Sequence, residues 1–376
     1  MPLLALLACD RAEPPPPPFE QRPIDEAGMA RAFPADRVKD RAGWAKDLRA
    51  AFELDGIPST HGNACATIAT IEQESGYAPD PAVPGIGGMI DGWIAEKQGE
   101  MKKVPGWAFE KGLRVLLDEK PPGEDRSFYE RLRAAKTERD VDLAYRAFVA
   151  HQRARLPKPL RVAEEAAQLV GLDLDDLNPI TTAGCMQVKV DHAEAHARRA
   201  HGLDRDDVRD ALYTRAGCVH YGAERLLGWE AGYERPVHRF ADYNAGVYAS
   251  RNAAFQEQVA ALAGTKLALD GDLLAYADGR PVPSKTMEAV LAVAPELGEA
   301  RVRRDLGKEK TRAFEETETW ATVRAAYAAK TGKDPAYARL PDVKLESPKL
   351  SGNRTTAWFA ENVERRYRAC LARLGA

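Results

Sequence analysis

Ser59-Thr-His-Gly-Asn-Ala-Cys-Ala-Thr-Ile-Ala-Thr-Ile-Glu-Gln-Glu-Ser-Gly-Tyr77 reads as one helix that ends on an acid. Ser59 or Thr60 can cap its start, and Ala64, Cys65, Ile68 and Ile71 recur at three- and four-residue spacing, so one apolar stripe faces a core. Gly76 closes the helix. Glu72 and Glu74 lie two positions apart, about 200° around the axis, and cannot work as a pair on one substrate. Glu74, beside Ser75 and Gly76, can be half sheltered by the core and half open to a cleft, which is how a carboxyl stays protonated near neutral pH. In isolation a Glu in a last turn is more often a solvated end residue, so the rest of the chain must decide.

Two later stretches bear on it: Thr182-Ala-Gly-Cys-Met-Gln-Val188 and Ala241-Asp-Tyr-Asn-Ala-Gly246. Glu-Ser-Gly, then Gly-x-Met-Gln, then Tyr-Asn-Ala-Gly, in that order, resembles the soluble lytic transglycosylase family with its lysozyme-like catalytic domain. The match is carried by Glu74, Ser75 and Gly76, by Gly184, Met186 and Gln187, and by Tyr243, Asn244, Ala245 and Gly246. Gly217-Cys-Val-His-Tyr-Gly-Ala223, with Leu226 and Leu227, is similar to the family's small-residue helix. The departure is a gap of roughly a hundred residues between Glu74 and Gly184, much longer than in compact members of the family.

The resemblance implies the chemistry. Most glycoside hydrolysis needs two carboxylates, yet only Glu74 matches a catalytic position. Glu74 would protonate the glycosidic oxygen between N-acetylmuramic acid and N-acetylglucosamine. The acetamido group would shield the oxocarbenium-like centre, and Glu74 as carboxylate would take the C6 hydroxyl proton while that oxygen closes on C1, leaving a 1,6-anhydro end. Gly184 would let backbone approach a sugar, Met186 would pack beneath, and the Gln187 and Asn244 amides would position the glycan. Tyr243 would give a stacking face and a phenol that orients Glu74 or the acetamido group. Ser75 would support the site, since no base stands ready to activate it. No cofactor is implied. A muramidase that activates water would instead need a second carboxylate about 6.5–9.5 Å away. A non-catalytic peptidoglycan-binding or scaffold lipoprotein with the same cleft is the alternative from another class.

With 376 residues, 44% hydrophobic and 30% charged, the chain is long enough for a large core and for two units. A net charge of -3 with mixed signs implies no phosphate-binding groove, so nucleic acid is not an expected partner. Leu6-Leu-Ala-Cys9 follows a short apolar run and resembles a bacterial lipobox, which implies lipidation of Cys9 and a periplasmic, membrane-anchored protein; no Lys or Arg precedes the run. Asp10 after the anchor suggests inner-membrane retention in some bacteria. Pro14 to Pro18 favour polyproline II, a semi-rigid tether of about 3.1 Å per residue. No segment is long enough to span a bilayer.

With Cys9 as anchor, Cys65, Cys185, Cys218 and Cys370 remain, and three pairings or free thiols stay open. The resembled fold would bring Cys185 and Cys218 to the same site, which suggests that pair first and Cys65 with Cys370 second. Two metal readings fail on spacing. Asp173, Asp175, Asp176 and Asn178 lack the Gly and final Glu of a calcium loop. His192 and His196 lie four apart on one face, but Ala193 stands where a metalloprotease places its Glu, and Glu194 is one residue late. Both stretches read as solvated, and no metal is expected.

The expected fold is mainly α: residues 1–8 a signal peptide remnant, 9–34 a Pro-rich tether, 35–263 a lysozyme-like domain with a small β element, and 264–376 a mostly helical extension. Residues 79–180 read as a helical insertion, with patterns over 89–100, 107–119 and one long helix from Asp125 to Leu156. The insertion would either cover one end of the glycan groove or thicken the core. In the extension, alternation from Leu267 to Tyr276 around Asp270-Gly271, with a turn at Asp278-Gly279, suggests a short hairpin. Helices follow from Thr286, Glu315 and Thr355, and the tail either binds a partner or braces the core. Tail, insertion and lipobox together resemble an uncharacterised family of proteobacterial lipoproteins.

Overall fold

The computed structural model describes residues 17–101, 112–155, 174–201, 205–277, 280–345 and 354–376. Cys9, the lipobox, and most of the proline run lie outside the described residues, as do Asp173 and the Asp278-Gly279 turn. The fold is mainly helical. Among the described residues no helix is long and apolar enough to cross a membrane.

Helix α1 (Glu26–Ala32) is capped by the Asp25 carboxylate on Gly28 N at 2.7 Å, and α2 (Arg41–Leu54) by Asp40 on Gly43 N. The expected tether to residue 34 therefore ends earlier: Met29, Ala32 and Phe33 are buried in the core, which an apolar face on a capped helix requires. Helix α3 (His61–Glu74) starts on Thr60, whose hydroxyl accepts from Asn63 N at 3.2 Å, a cap worth about 1 kcal/mol. Its burial exceeds the expected stripe. Every residue from Ala64 to Ile71 is buried, because small Ala and Thr side chains let neighbours close in on all sides. The hydroxyls of Thr67 and Thr70 donate to the carbonyls of Asn63 and Ala66, so neither hydroxyl is stranded.

The described part of the insertion forms α4 (Ile86–Met101), α5 (Gly112–Leu117), α6 (Phe128–Ala134) and α7 (Glu138–Arg155). The single helix expected from Asp125 to Leu156 is two. Ala135 is extended, and Thr137 and Asp140 cap α7 by exchanging hydrogen bonds, Asp140 also holding Lys136 N. Ile90, Leu117, Phe128, Val141 and Phe148 join the same core as Ile68, so these helices thicken that core. Residues 82–88, the loop before α4 and its first turn, line an open depression of about 490 Å³ with Arg133 and Lys136, and none of the motif residues borders it.

A short hairpin follows, β1 (Thr182–Ala183) and β2 (Val188–Lys189), paired Thr182 to Lys189 and Ala183 to Val188. Then come α8 (Val190–His201), α9 (Arg205–Leu212), α10 (Arg215–Leu227), α11 (Pro236–Ala245) and α12 (Ala249–Ala263). Pro236 opens α11, where its missing N–H costs nothing. Strands β3 (Ala275–Ala277) and β4 (Arg280–Val282) flank residues 278–279. The alternation around Asp270-Gly271 makes no strand: Gly271 (φ +93°) bends against the Ala249 backbone, where a Cβ would meet Ala249 Cα at 2.7 Å. Last are α13 (Lys285–Val293), α14 (Glu299–Leu306), α15 (Glu318–Thr331), the pair β5 (Lys344–Leu345) and β6 (Arg354–Thr355), and α16 (Thr356–Arg373).

The tail divides between two cores. Phe255 and Val259 of α12 pack with Met287, Val302, Phe314 and Trp320 in a second cluster. Arg251 sits fully buried between them, its guanidinium donating to Thr311 O and Glu309 O and pairing with Glu315. Helix α16 instead returns to the first core, with Phe359, Val363, Tyr367 and Cys370 against α3. The boundary expected at 264 thus does not separate the packing: apolar spacing along 356–371 gives a buried face but not the helix it will meet. Cys65 and Cys370 form one disulfide, Cys185 and Cys218 the other.

Candidate functional site

Glu74 is the last residue of α3 and is partly exposed. Ser75 ends the helix and its hydroxyl donates back to Ile71 O at 3.1 Å, so it stiffens the helix end. Gly76 (φ +59°) and Tyr77 (φ +74°) are both left-handed, which turns the chain sharply away from the carboxyl. Tyr77 is rarely tolerated in that conformation, and its burial between Phe33 and Trp44 holds it there. Its hydroxyl donates to Glu72 Oε2 at 2.9 Å, while Glu72 Oε1 takes Arg37 at 2.5 Å and faces Arg366 at 3.5 Å. Glu72 is therefore a clamp between elements.

The Gly184 stretch is the turn of the β1–β2 hairpin. Gly184 has φ +80°, and a Cβ there would meet Leu212 O at 2.3 Å and Cys218 Cβ at 2.9 Å, so only glycine fits. Gln187 N closes the turn on Gly184 O at 3.0 Å. The Cys185–Cys218 disulfide ties the turn to α10, and Met186 is buried against Gly222 of the same helix. Gln187, expected to face glycan, points inward: its amide nitrogen donates to Glu138 Oε2 at 2.8 Å, and its oxygen accepts from Thr182 Oγ at 3.2 Å. Glu138 is buried at the start of α7, and a charged acceptor there outbids solvent for the amide.

Tyr243 joins the other two motifs. Its hydroxyl donates to Met186 O at 2.7 Å, and its pKa is raised by burial and, next, by the negative charge of Glu74. Tyr243 thus hydrogen-bonds residue 186 and lies within electrostatic reach of residue 74, both remote from it in sequence. The ring itself is buried, with Arg225 5.8 Å above it, so the expected stacking face is turned into the protein. Asn244 is exposed, but its side-chain oxygen accepts from Thr356 Oγ of α16 at 3.1 Å. Gly246 (φ +129°) ends α11.

Sequence reading missed the supports. Arg225 donates to the carbonyls of Asp242 and Tyr243, and burial lowers its pKa. Asp242 is fully buried, accepting from Tyr233 Oη and from Ser250 N at 2.6 Å. Burial pushes its pKa up to about 6. An acid raised on folding contributes stability that is full below about pH 4 and lost as the pH rises through about 6, on the order of 3 kcal/mol in all. Asp242→Asn is expected to flatten the fall in unfolding free energy between pH 4 and 7 by about that amount in urea titrations. Parallel profiles for the two proteins would contradict the role of this carboxyl. Asp242 had a signal, adjacency to Tyr243; Glu138 had none.

A family described as "Protein of unknown function (DUF1615)" matches residues 37–373. The chain belongs to this family. Its match spans α2 to the end of α16, so insertion, both disulfides and the tail all fall inside it. A relative from Escherichia coli (strain K12), "Uncharacterized protein YaiW", is 36% identical over 371 residues, 98% of this chain and 96% of that protein. The two chains therefore align over nearly their whole lengths. No solved structure matches.

Proposed function

We propose that this member of the family is a peptidoglycan lytic transglycosylase with a lysozyme-like cleft, in which Glu74 acts first as acid and then as base. The observation that carries the reading is the Tyr243 hydroxyl, which bonds the Met186 carbonyl and whose pKa is raised by burial and, next, by Glu74. Two further features support a single catalytic acid. Glu72 is held by Arg37 and Tyr77, and Glu138 is buried against Gln187, which leaves neither placed to activate water.

In this reading the Glu74 proton passes to the glycosidic oxygen as the C1–O bond breaks, and the acetamido oxygen shields C1. The carboxylate then takes the C6 hydroxyl proton while O6 bonds to C1, so no water is consumed. Ser75, Gly184 and Met186 hold the backbone that borders the sugar. Lipidation at Cys9 would place the domain at the periplasmic face of a bacterial membrane, within reach of glycan strands.

A second reading, a peptidoglycan-binding lipoprotein without turnover, is favoured by one specific feature. The polar atoms of Gln187, Tyr243 and Asn244 are engaged by Glu138, Met186 and Thr356. Incubating the protein with purified sacculi separates the two: soluble glycan release means turnover, whereas protein that pellets with sacculi and releases nothing is the binding module.

A further inference from the structure

Three of the chain's seven histidines converge with two carboxylates on one side of α10. Asp55, the residue that ends α2, stands between two imidazoles: its Oδ1 is 3.1 Å from His196 Nε2 and its Oδ2 is 3.1 Å from His220 Nε2. The ligand atoms of Asp55, His196 and His220 all lie within 4.8 Å of one another. The other ring nitrogen of His196, Nδ1, faces Glu224 Oε1 at 3.4 Å, and Glu224 Oε2 is bonded to His192 Nε2 at 2.5 Å. The residues come from three elements, α2, α8 and α10, and their side chains are 6–14% exposed.

We propose that Asp55, His196 and His220 bind a zinc ion, with the fourth position open to water. Two imidazole nitrogens and a carboxylate oxygen suit zinc, whose bonds of about 2.0–2.1 Å space tetrahedral ligand atoms about 3.3–3.4 Å apart. Each imidazole nitrogen stands 3.1 Å from its own Asp55 oxygen, close to that spacing, so a turn of the carboxylate that presents one oxygen to both rings admits the ion. Glu224 supplies what a ligating histidine needs at its far nitrogen, a carboxylate that fixes the tautomer and ring orientation. That arrangement is independent of the three-residue cluster and is what zinc sites add around their ligands. Asp55 and Glu224 also bring two negative charges toward the dication.

His192 and His196 do share a helix face, but the metal ligands are His196 and residues 141 positions before it and 24 after it, with His192 one layer out. Glu194 points elsewhere, to Arg205 at 3.0 Å and Arg209 at 3.4 Å. Helix α10 carries Cys218 and Gly222, which hold the Gly184 turn, on a face about 120–160° away from His220 and Glu224. A zinc ion would pin that helix to α2 and α8 from behind. The proposal does not depend on Glu74 or on glycan cleavage.

Tag-free full-length protein, stripped with a chelator and dialysed against zinc, is expected to retain one equivalent by elemental analysis and to melt at higher temperature with zinc. His196→Ala and His220→Ala are expected to lose the ion, and Glu224→Gln to bind it about 10–100-fold more weakly. Cobalt(II) titrated into the wild-type protein provides a reading that needs no variant: visible bands of a tetrahedral site, abolished by one equivalent of zinc. Folded wild-type protein that retains no zinc and gives no such bands would overturn the proposal. Equal zinc retention by the folded histidine variants would overturn it too.

Discussion

Glu74→Gln is expected to lower glycan release from sacculi by about 10²–10⁴-fold while leaving the thermal midpoint within a degree or two. Gln has the size of Glu and accepts similar hydrogen bonds, but it cannot give up a proton to a leaving oxygen or take one from a C6 hydroxyl. Position 74 is a helix end that is partly exposed, so the substitution leaves the core intact. Glu72→Gln makes the contrast, because it weakens the hold on Arg37 and Tyr77 and is expected to cost about 1–3 kcal/mol of stability. Its release rate, measured well below its melting point, should stay within a few-fold of wild type. If Glu72→Gln abolished release and Glu74→Gln did not, the two roles would be reversed.

Removing the Cys65–Cys370 bridge, with both residues changed to Ala, is expected to lower the unfolding free energy by about 2–5 kcal/mol. The bridge closes 305 residues of sequence and ties α16 to α3, whose residues from Ala64 to Ile71 are all buried. Both cysteines are in the core, so the double variant also leaves small voids there. Urea titration under non-reducing conditions measures the loss, and adding reductant to the wild type should approach the same value. A double variant as stable as wild type would mean that α16 is held by packing alone. The Cys185–Cys218 bridge closes a far shorter loop and fixes a turn, so its removal should affect glycan release more than global stability.

What the sequence disclosed and what it concealed follow from the range of the interactions. The α3 helix, its Thr60 cap and its Gly76 end were legible because each depends on neighbours within four residues. Glycine at 184 was legible as a requirement, though its reason, the Leu212 carbonyl 2.3 Å from a would-be Cβ, was not. Side-chain direction was the main loss. Gln187 and Tyr243 carry the right chemistry to meet a sugar, but their polar atoms turn to Glu138 and Met186, partners 49 and 57 residues away. The return of α16 to the first core is a contact of the same kind, invisible until the chain closes. The histidine cluster shows the limit most clearly. Spacing along one helix ruled out a metal at His192 and His196, whereas the arrangement that suits one needs Asp55 and His220, which no local pattern links.

The most direct test of the central claim is the mass of the glycan ends released from sacculi by the tag-free protein. Lytic transglycosylation predicts muropeptides one water lighter than hydrolytic products, with 1,6-anhydro ends and none from the Glu74→Gln protein. Reducing ends, or ends that persist in the variant, would contradict the account of Glu74 as the acid and base of a water-free cleavage.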